Sequence, residues 1–431
     1  MSAHQAATTN GTAAKPLKVL IAGAGIGGLS AAIALRAAGH DVEVIKIFES
    51  SRFAAELGAA IHLPPNVNGV LRRFGLKPET WGANETEWVS ITGRSSRPFC
   101  ATFYKKKLRY NRKNVSGIKE QYRWPWQLSH RVDLHEALKV TAMSPDLSGN
   151  PAKLHLRSRV VSCDPSKGTI TLEGGHIHKG DLIIAADGVH STLRPIISSE
   201  NIPTFPSGGC AFRFLVPIAK AKANPVTAPL VDRTGDFQIW EGKNRRLVIY
   251  PCRDNTELNF VCLHPDGESQ DSTEGWNNAS TTEHVLDVFD EYCQPMKTLL
   301  SMADPSTIKL WRLWDRRALN TWVCDSAALL GDAAHPFLPH QGQGGAQAIE
   351  DGAALGALFP LGTTPSEVPG CLKLYMKARY ERATMVQNFS RQMAFQTSDE
   401  DEVGGFSMNP MEFSAKNFDH DAFKHAQQLL G

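Results

Sequence analysis

The eight cysteines (Cys100, Cys163, Cys210, Cys252, Cys262, Cys293, Cys324, Cys371) include no Cys-x-x-Cys pair, and no histidine cluster has metal-ligand spacing. This removes disulfide-scaffold, zinc-finger and dithiol redox chemistries, and the thiols read as reduced and mostly buried. No apolar run reaches the roughly 20 residues of a membrane span, so no membrane anchor is expected. Neither sign of charge dominates, the net being +2. The one dense basic run, Tyr104 to Arg109 with Arg112 and Lys113, is short and reads as a solvated loop, so no nucleic acid partner is expected. Residues 1–15 lack an apolar centre and read as a disordered tail and not a signal peptide, which points to a cytoplasmic protein.

What remains is an ordinary globular composition over 431 residues, 42% hydrophobic and 21% charged, with room for two or three cores. Leu17 to Ala22 is a short apolar run, followed at once by Gly23-Ala24-Gly25-Ile26-Gly27-Gly28 and then by helical spacing as far as Gly39. Strand, Gly-x-Gly-x-x-Gly and helix together point to a dinucleotide. Gly23 suits the tight turn, Gly25 the approach of a pyrophosphate, and Gly28 close helix–strand packing. Glu49 stands 21 residues after Gly28, at the end of the next strand, where a carboxylate accepts hydrogen bonds from ribose hydroxyls. Glu43 is its rival if that strand ends early.

A second buried-strand pattern runs from Gly180-Asp181 to Asp187-Gly188 and on to Arg194, bringing Asp187 to a strand end beside the nucleotide. A third unit, Gly331 to Asp351, reads as strand, glycine loop and helix start. Gly342, Gly344 and Gly345 let backbone come close to a ligand, and the helix start offers unpaired N–H groups to an anion. Asp332 faces the same space. Small residues at Gly58, Ala59 and Ala60 suit either a chain passing over a flat ligand or a packed turn. Arg131 precedes a helix start and could bridge cofactor oxygens or pair with Asp133 at the surface.

Between the second and third units, strand-like runs at Gly208 to Pro217, Asp236 to Glu241, Arg246 to Pro251 and Glu257 to His264 suggest an antiparallel sheet walling a pocket. Alternation places Phe212 and Phe214 on one face and Arg213 on the other, toward ligand or water. Lys153 to Val161 with Gly168 to Leu172 read as a two-stranded extension, His284 to Met302 as one helix, and Leu372 to Met393 as a long amphipathic helix. The expected organisation is an α/β fold: a discontinuous nucleotide-binding domain (16–200 and 305–360), an inserted sheet domain (201–304) and a C-terminal helical region (361–431).

Taken in order, the three motifs resemble those of the class A flavoprotein monooxygenases, the aromatic hydroxylases of the salicylate and p-hydroxybenzoate hydroxylase type, over about residues 16 to 395. The resemblance implies a Rossmann-like domain holding FAD, with NADH or NADPH as transient co-substrate. It implies C4a-hydroperoxide chemistry that passes one oxygen atom from O2 to an electron-rich aromatic carbon. It also implies cofactor contacts at Gly23, Gly25, Gly28, Glu49, Ala60, Arg131, Asp187, Asp332 and Gly345, although the family more often has Gly at position 60 and Ala at 345. In the fungal-type branch an arginine and a tyrosine act together on the substrate sheet, and Arg213 and Tyr250 match them. Monomer and homodimer stay open. The alternatives are a flavin-dependent epoxidase or reductase of a prenylated substrate, a flavin halogenase hinted at by Trp124-Pro125-Trp126, and a non-catalytic flavin-binding regulator.

Overall fold

The computed structural model describes residues 14–45, 60–92, 110–268, 278–394 and 407–431. Residues 1–13, Glu49, Gly58, Ala59, the basic run 104–109 and the acidic stretch from Ser398 to Gly404 lie outside them.

The β-branched and aliphatic runs form a six-stranded sheet in the order Val323–Cys324, Ala327–Leu329, Leu182–Ala185, Lys18–Ala22, Asp41–Ile45, Lys153–His155. All pairings but the first are parallel. Lys18–Ala22, Leu182–Ala185 and Ala327–Leu329 are nearly all fully buried, as strands covered on both faces are. They end side by side, which brings the first glycine loop, Asp187 and the turn Gly331–Ala333 together.

Two helices lie against this sheet with almost no space between them. A Cβ built on Gly27 would stand 3.1 Å from Ala348 Cβ, one on Gly352 2.7 Å from Ala31 N, and one on Gly356 2.7 Å from Ala34 Cβ. These contacts advance together along both chains, so the helices Ile26–Ala37 and Gly344–Leu358 run parallel and their N-termini share one end. Neither N-terminus has a side-chain cap or an acidic residue in its first turn, which leaves two sets of N–H groups and two positive dipole ends for a ligand.

The second sheet has eight strands: Asn278–Ala279, Lys309–Asp315, Phe205–Pro217, Glu257–Pro265, Arg246–Cys252, Asp236–Glu241, Trp88–Thr92 and Tyr110–Asn114. It contains the four expected runs and also recruits strands from outside 201–304, with Trp88–Thr92 joining Asp236–Glu241 in parallel. One face buries Phe212, Phe214, Phe260 and Trp240 against the helices Thr282–Val288 and Gln294–Leu300. These two helices replace the single expected one. Pro295 has no N–H for a continuing helix, so the chain breaks and restarts with proline in the first turn. The expected two-stranded extension also differs. Lys153–His155 joins the parallel sheet, while Val160–Asp164, Thr169–Leu172 and Ile177–Lys179 form a three-stranded sheet of their own.

A small sheet, Ala60–Leu63 with Gln127–His130 and Asn84–Glu85, bridges the two halves, and the helix Val368–Gln392 closes the molecule. Among the described residues no helix is long and apolar enough to cross a membrane, and no group of His, Cys, Asp and Glu could hold a metal. The seven described cysteines are free, five of them buried.

Candidate active site

The first glycine loop is shaped by close contacts. Gly23 has φ +105°, and a Cβ there would lie 2.2 Å from Ala186 O, while a Cβ on Gly28 would lie 2.1 Å from Gly23 O. Gly25 is different, since its Cβ would meet nothing within 4 Å. That is the geometry of a turn whose outer glycines serve packing and whose middle one leaves room for a phosphate. His135 holds the loop from outside through a 2.8 Å hydrogen bond between Nε2 and Ala24 O.

Asp187 spends one oxygen on structure. Its Oδ2 accepts from the N–H groups of Thr192 (2.9 Å) and Leu193 (3.3 Å), while Oδ1 is buried without a partner and is available to a ligand hydroxyl. Arg194 then ties this motif to the third one, donating from Nε to Ala333 O at 2.8 Å and from Nη2 to Val189 O at 2.6 Å. Asp332 stands on the turn so fixed. Its side chain is exposed, yet desolvation pushes its carboxyl above the usual range, opposed by the charges of His335, Arg131 and Arg194. Exposure with desolvation means that it faces a recess inside the protein and not the outer surface.

The helix after Asp332 is anchored by a buried ion network. Asp351 accepts from the N–H of Gly331 (2.9 Å), from Arg379 Nε (2.7 Å) and, through the same oxygen that binds Gly331, contacts His335 Nε2 at 2.7 Å. Glu350 accepts from Asn66 (2.6 Å), Arg379 (2.6 Å) and twice from Arg382 (2.6 and 2.7 Å). Burial alone would raise both carboxyls, but Arg382 and Arg379 hold Glu350 below the ordinary range, and His335 and Arg379 hold Asp351 below it. His335 is thus part of the scaffold, and it has a carboxylate partner that the sequence did not reveal. Sequence spacing hides such a network, because its members stand 16 to 284 positions apart.

Glu43 is withdrawn from cofactor binding by its neighbours: Lys18 at 3.5 Å, His155 at 3.6 Å and His178 at 3.7 Å. Ala60 gives its N–H to Asn259 Oδ1 at 2.9 Å, so that donor serves the joint between the two halves and any cofactor contact at Ala60 uses other atoms. Gly345 lies under Ile61, whose Cδ1 a Cβ would approach to 2.5 Å. Asp133 is claimed by Arg253 through two 2.8 Å hydrogen bonds. Arg131 lies where its charge reaches both Asp332 and Arg213, linking the cofactor side to the sheet.

Arg213 and Tyr250 share one face of the eight-stranded sheet. Arg213 pairs with Val261, which pairs with Val248, and the next rung of the same face holds Leu215, Asn259 and Tyr250. The Arg213 guanidinium lies 4.6 Å from the ring centroid of Trp311, and its Nε is buried without a hydrogen-bond partner. Burial lowers its pKa and the Arg131 charge adds to this, while Tyr250 works the other way. Tyr250 is buried and stacked on Phe237, with centroids 5.3 Å apart, and burial holds its hydroxyl well above the usual phenol range, so it stays a neutral donor.

A family model described as an FAD binding domain matches residues 171–390, and another of the same description matches 18–124. Hispidin-3-hydroxylase of Neonothopanus nambi is 37% identical over 382 residues, covering 86% of each chain. An FAD-dependent monooxygenase of Aspergillus candidus, cfoG, is 34% identical over 380 residues, covering 87% of this chain and 84% of its own. Among solved structures, CtdE in complex with FAD and a substrate superposes with a TM-score of 0.77 at 21% identity, covering 96% of this chain and 98% of its own. A salicylate hydroxylase substrate complex gives 0.72 at 23%, covering 96% and 97%. With two uncapped helix N-termini, the open space beside Gly25 and the unpaired oxygen of Asp187 all suited to a dinucleotide, the chain belongs to the FAD-dependent monooxygenases of the aromatic hydroxylase type.

Proposed function

We propose that the protein hydroxylates a phenolic or carboxylated aromatic small molecule, with NADH or NADPH as the transient reductant. The balance is one O2, one reduced nicotinamide and one proton consumed, one oxygen atom placed on the aromatic carbon and the other released as water. Bound FAD supplies the transfer of electrons from the nicotinamide and the activation of dioxygen. Gly23, Gly25, Gly28 and Asp187 take its nucleotide end, Asp332 and Arg131 its middle, and Gly345 with Ala60 its flat ring, with Glu49 on the ribose.

The observation that carries the substrate assignment is Arg213: a desolvated guanidinium, stacked on Trp311, with a buried Nε that lacks an acceptor. A phenolate or carboxylate satisfies it with a charge-assisted bond of about 1.5–3 kcal/mol. Tyr250 remains protonated there and donates to the same oxygen. Holding a phenol as its phenolate raises the electron density of the ring that is attacked, while a carboxylate serves to orient it. Relatives named for hydroxylating hispidin and 3-hydroxybenzoate support this chemistry.

The test is a screen. Purified protein with a yellow flavin spectrum is offered phenols and aromatic acids with NADH or NADPH, and a hit is faster nicotinamide oxidation with a product heavier by one oxygen atom. Oxidation of the nicotinamide without any oxygenated product across the panel removes the proposal.

A further inference from the structure

The strand Ala60–Leu63 is wedged between the two halves of the site, and each half grips it through a different side chain. On the sheet side Ala60 gives its N–H to Asn259 Oδ1 at 2.9 Å. Asn259 is fully buried and stands directly across from Tyr250, one rung from Arg213, so this bond is made on the face that carries both. On the other side Ile61 lies over Gly345, and a Cβ on Gly342 would run into the His62 ring. Gly342, at φ +59°, thus makes room for His62. Desolvation pushes His62 down to about 4, so its ring is neutral near pH 7. Its Nδ1 accepts from Trp126 Nε1 at 3.2 Å, which leaves the proton on Nε2, against the backbone of Gln341 and Gly342.

Asn259 carries a cost that packing alone does not require. Its Nδ2 is buried without a hydrogen-bond partner. Leucine would fill a similar volume without that cost, but would leave the N–H of Ala60 with no acceptor. A carboxylate would accept from Ala60 equally well, yet one rung from Arg213 it would compete with a substrate anion for the guanidinium. An amide supplies the acceptor and carries no charge.

We propose that Ala60–Leu63 is a spacer that fixes the gap between the cofactor loop 342–345 and the substrate sheet, with Asn259 and His62 as the positioning residues at its two sides. Both act through backbone, Asn259 on Ala60 and His62 on the loop. The inference rests on the hydroxylase reading of the same site. Oxygen transfer needs the substrate ring at a set distance from the flavin, and misplacement by about 1 Å can cost about a hundredfold in rate. A loosened spacer lets one O2, one reduced nicotinamide and one proton end as hydrogen peroxide and oxidised nicotinamide, with no oxygen placed on the ring.

Asn259→Leu and His62→Phe are compared with wild-type protein, using the member of the phenol and aromatic acid panel that wild-type protein oxygenates fastest. Product formed per nicotinamide oxidised, at saturating substrate, should fall about tenfold in each variant, with hydrogen peroxide making up the difference. KM and flavin content should stay near wild-type values. Asn259→Asp keeps an oxygen for Ala60 and should restore most of the product yield at saturating substrate, with KM raised by its charge beside Arg213. Because both residues set one gap, the double variant should be no worse than the poorer single one. Unchanged product yield in both single variants, with only a lower melting temperature, overturns the spacer. So does Asn259→Asp behaving like Asn259→Leu, or losses that multiply in the double variant. Wild-type protein that oxygenates no member of the panel fails the hydroxylase reading, and the spacer is then judged on the fluorescence of bound FAD. Asn259→Leu should alter that fluorescence through Ala60, and a signal identical to wild-type overturns the spacer.

Discussion

The loop that carries Asp332 and the sheet that carries Arg213 solve the same problem, positioning one charged group in a recess, by opposite means. Asp332 sits on a turn pinned by Arg194 and by the ion network of Asp351, Glu350, Arg379 and Arg382, where nearly every polar atom has a partner at 2.6–2.9 Å. Arg213 is held by a ring, Trp311, and by the strands on either side of its own, and its Nε is left without a partner. The first arrangement fixes geometry and tolerates little change, because removing one member strands buried charge. The second leaves chemistry open toward the substrate, and neighbouring rings can be exchanged at the cost of packing alone. On the proposed assignment of Asp332 to the cofactor and Arg213 to the substrate, cofactor binding is the rigid half of this site and substrate choice the adjustable half.

The largest expected effect breaks the rigid half. Arg379→Ala leaves Glu350 and Asp351 short of a buried cation and should cost about 3–5 kcal/mol of stability in denaturant unfolding. A loss below 1 kcal/mol would show that the network contributes little to holding the loop.

Next in size, Asp332→Ala should give protein that folds but binds FAD about ten- to a hundredfold more weakly, read by flavin titration. Retention of FAD at wild-type affinity would remove Asp332 from the cofactor site.

A smaller, spread-out effect concerns acid stability. His62 and His264 are pushed down to about 4, and His340 and His420 to about 3, chiefly by burial. With their folded values below the ordinary 6.5, these groups favour the folded state fully above pH 6.5. That contribution is lost as pH falls from 6.5 toward 3–4, because the unfolded chain takes up protons first. Melting temperature should fall over that window, and His264→Gln should flatten the slope; a melting temperature independent of pH there would contradict the burial of these rings as neutral species.

Much of the rigid half was legible in the sequence, because glycine spacing and strand-ending aspartates are local signals. Gly23, Gly25 and Gly28, Asp187 and the helix start at Gly344 all stand where such patterns place them. The alternation that set Arg213 opposite Phe212 and Phe214 was equally readable, and burial of both phenylalanines follows it. The ion network was not, since Arg379 and Arg382 read as the charges of any amphipathic helix until its buried face is known. Nor were the ring contacts that link Tyr250 through Phe237 and Trp126 to Phe418, since these residues come from four separate segments. Pro295 is a local signal for the division of 284–302 into two helices, because it lacks the N–H that a continuous helix needs.

The claim that joins the two halves is that Arg213 holds the substrate anion beside a cofactor it does not itself bind. Arg213→Lys keeps the charge but loses the planar fork and the stacking on Trp311. Flavin content and oxygenated product are measured together on this variant. Wild-type flavin content with loss of product, nicotinamide oxidation being no longer coupled to substrate, is the result expected; unchanged product formation, or loss of the flavin itself, would contradict the assignment.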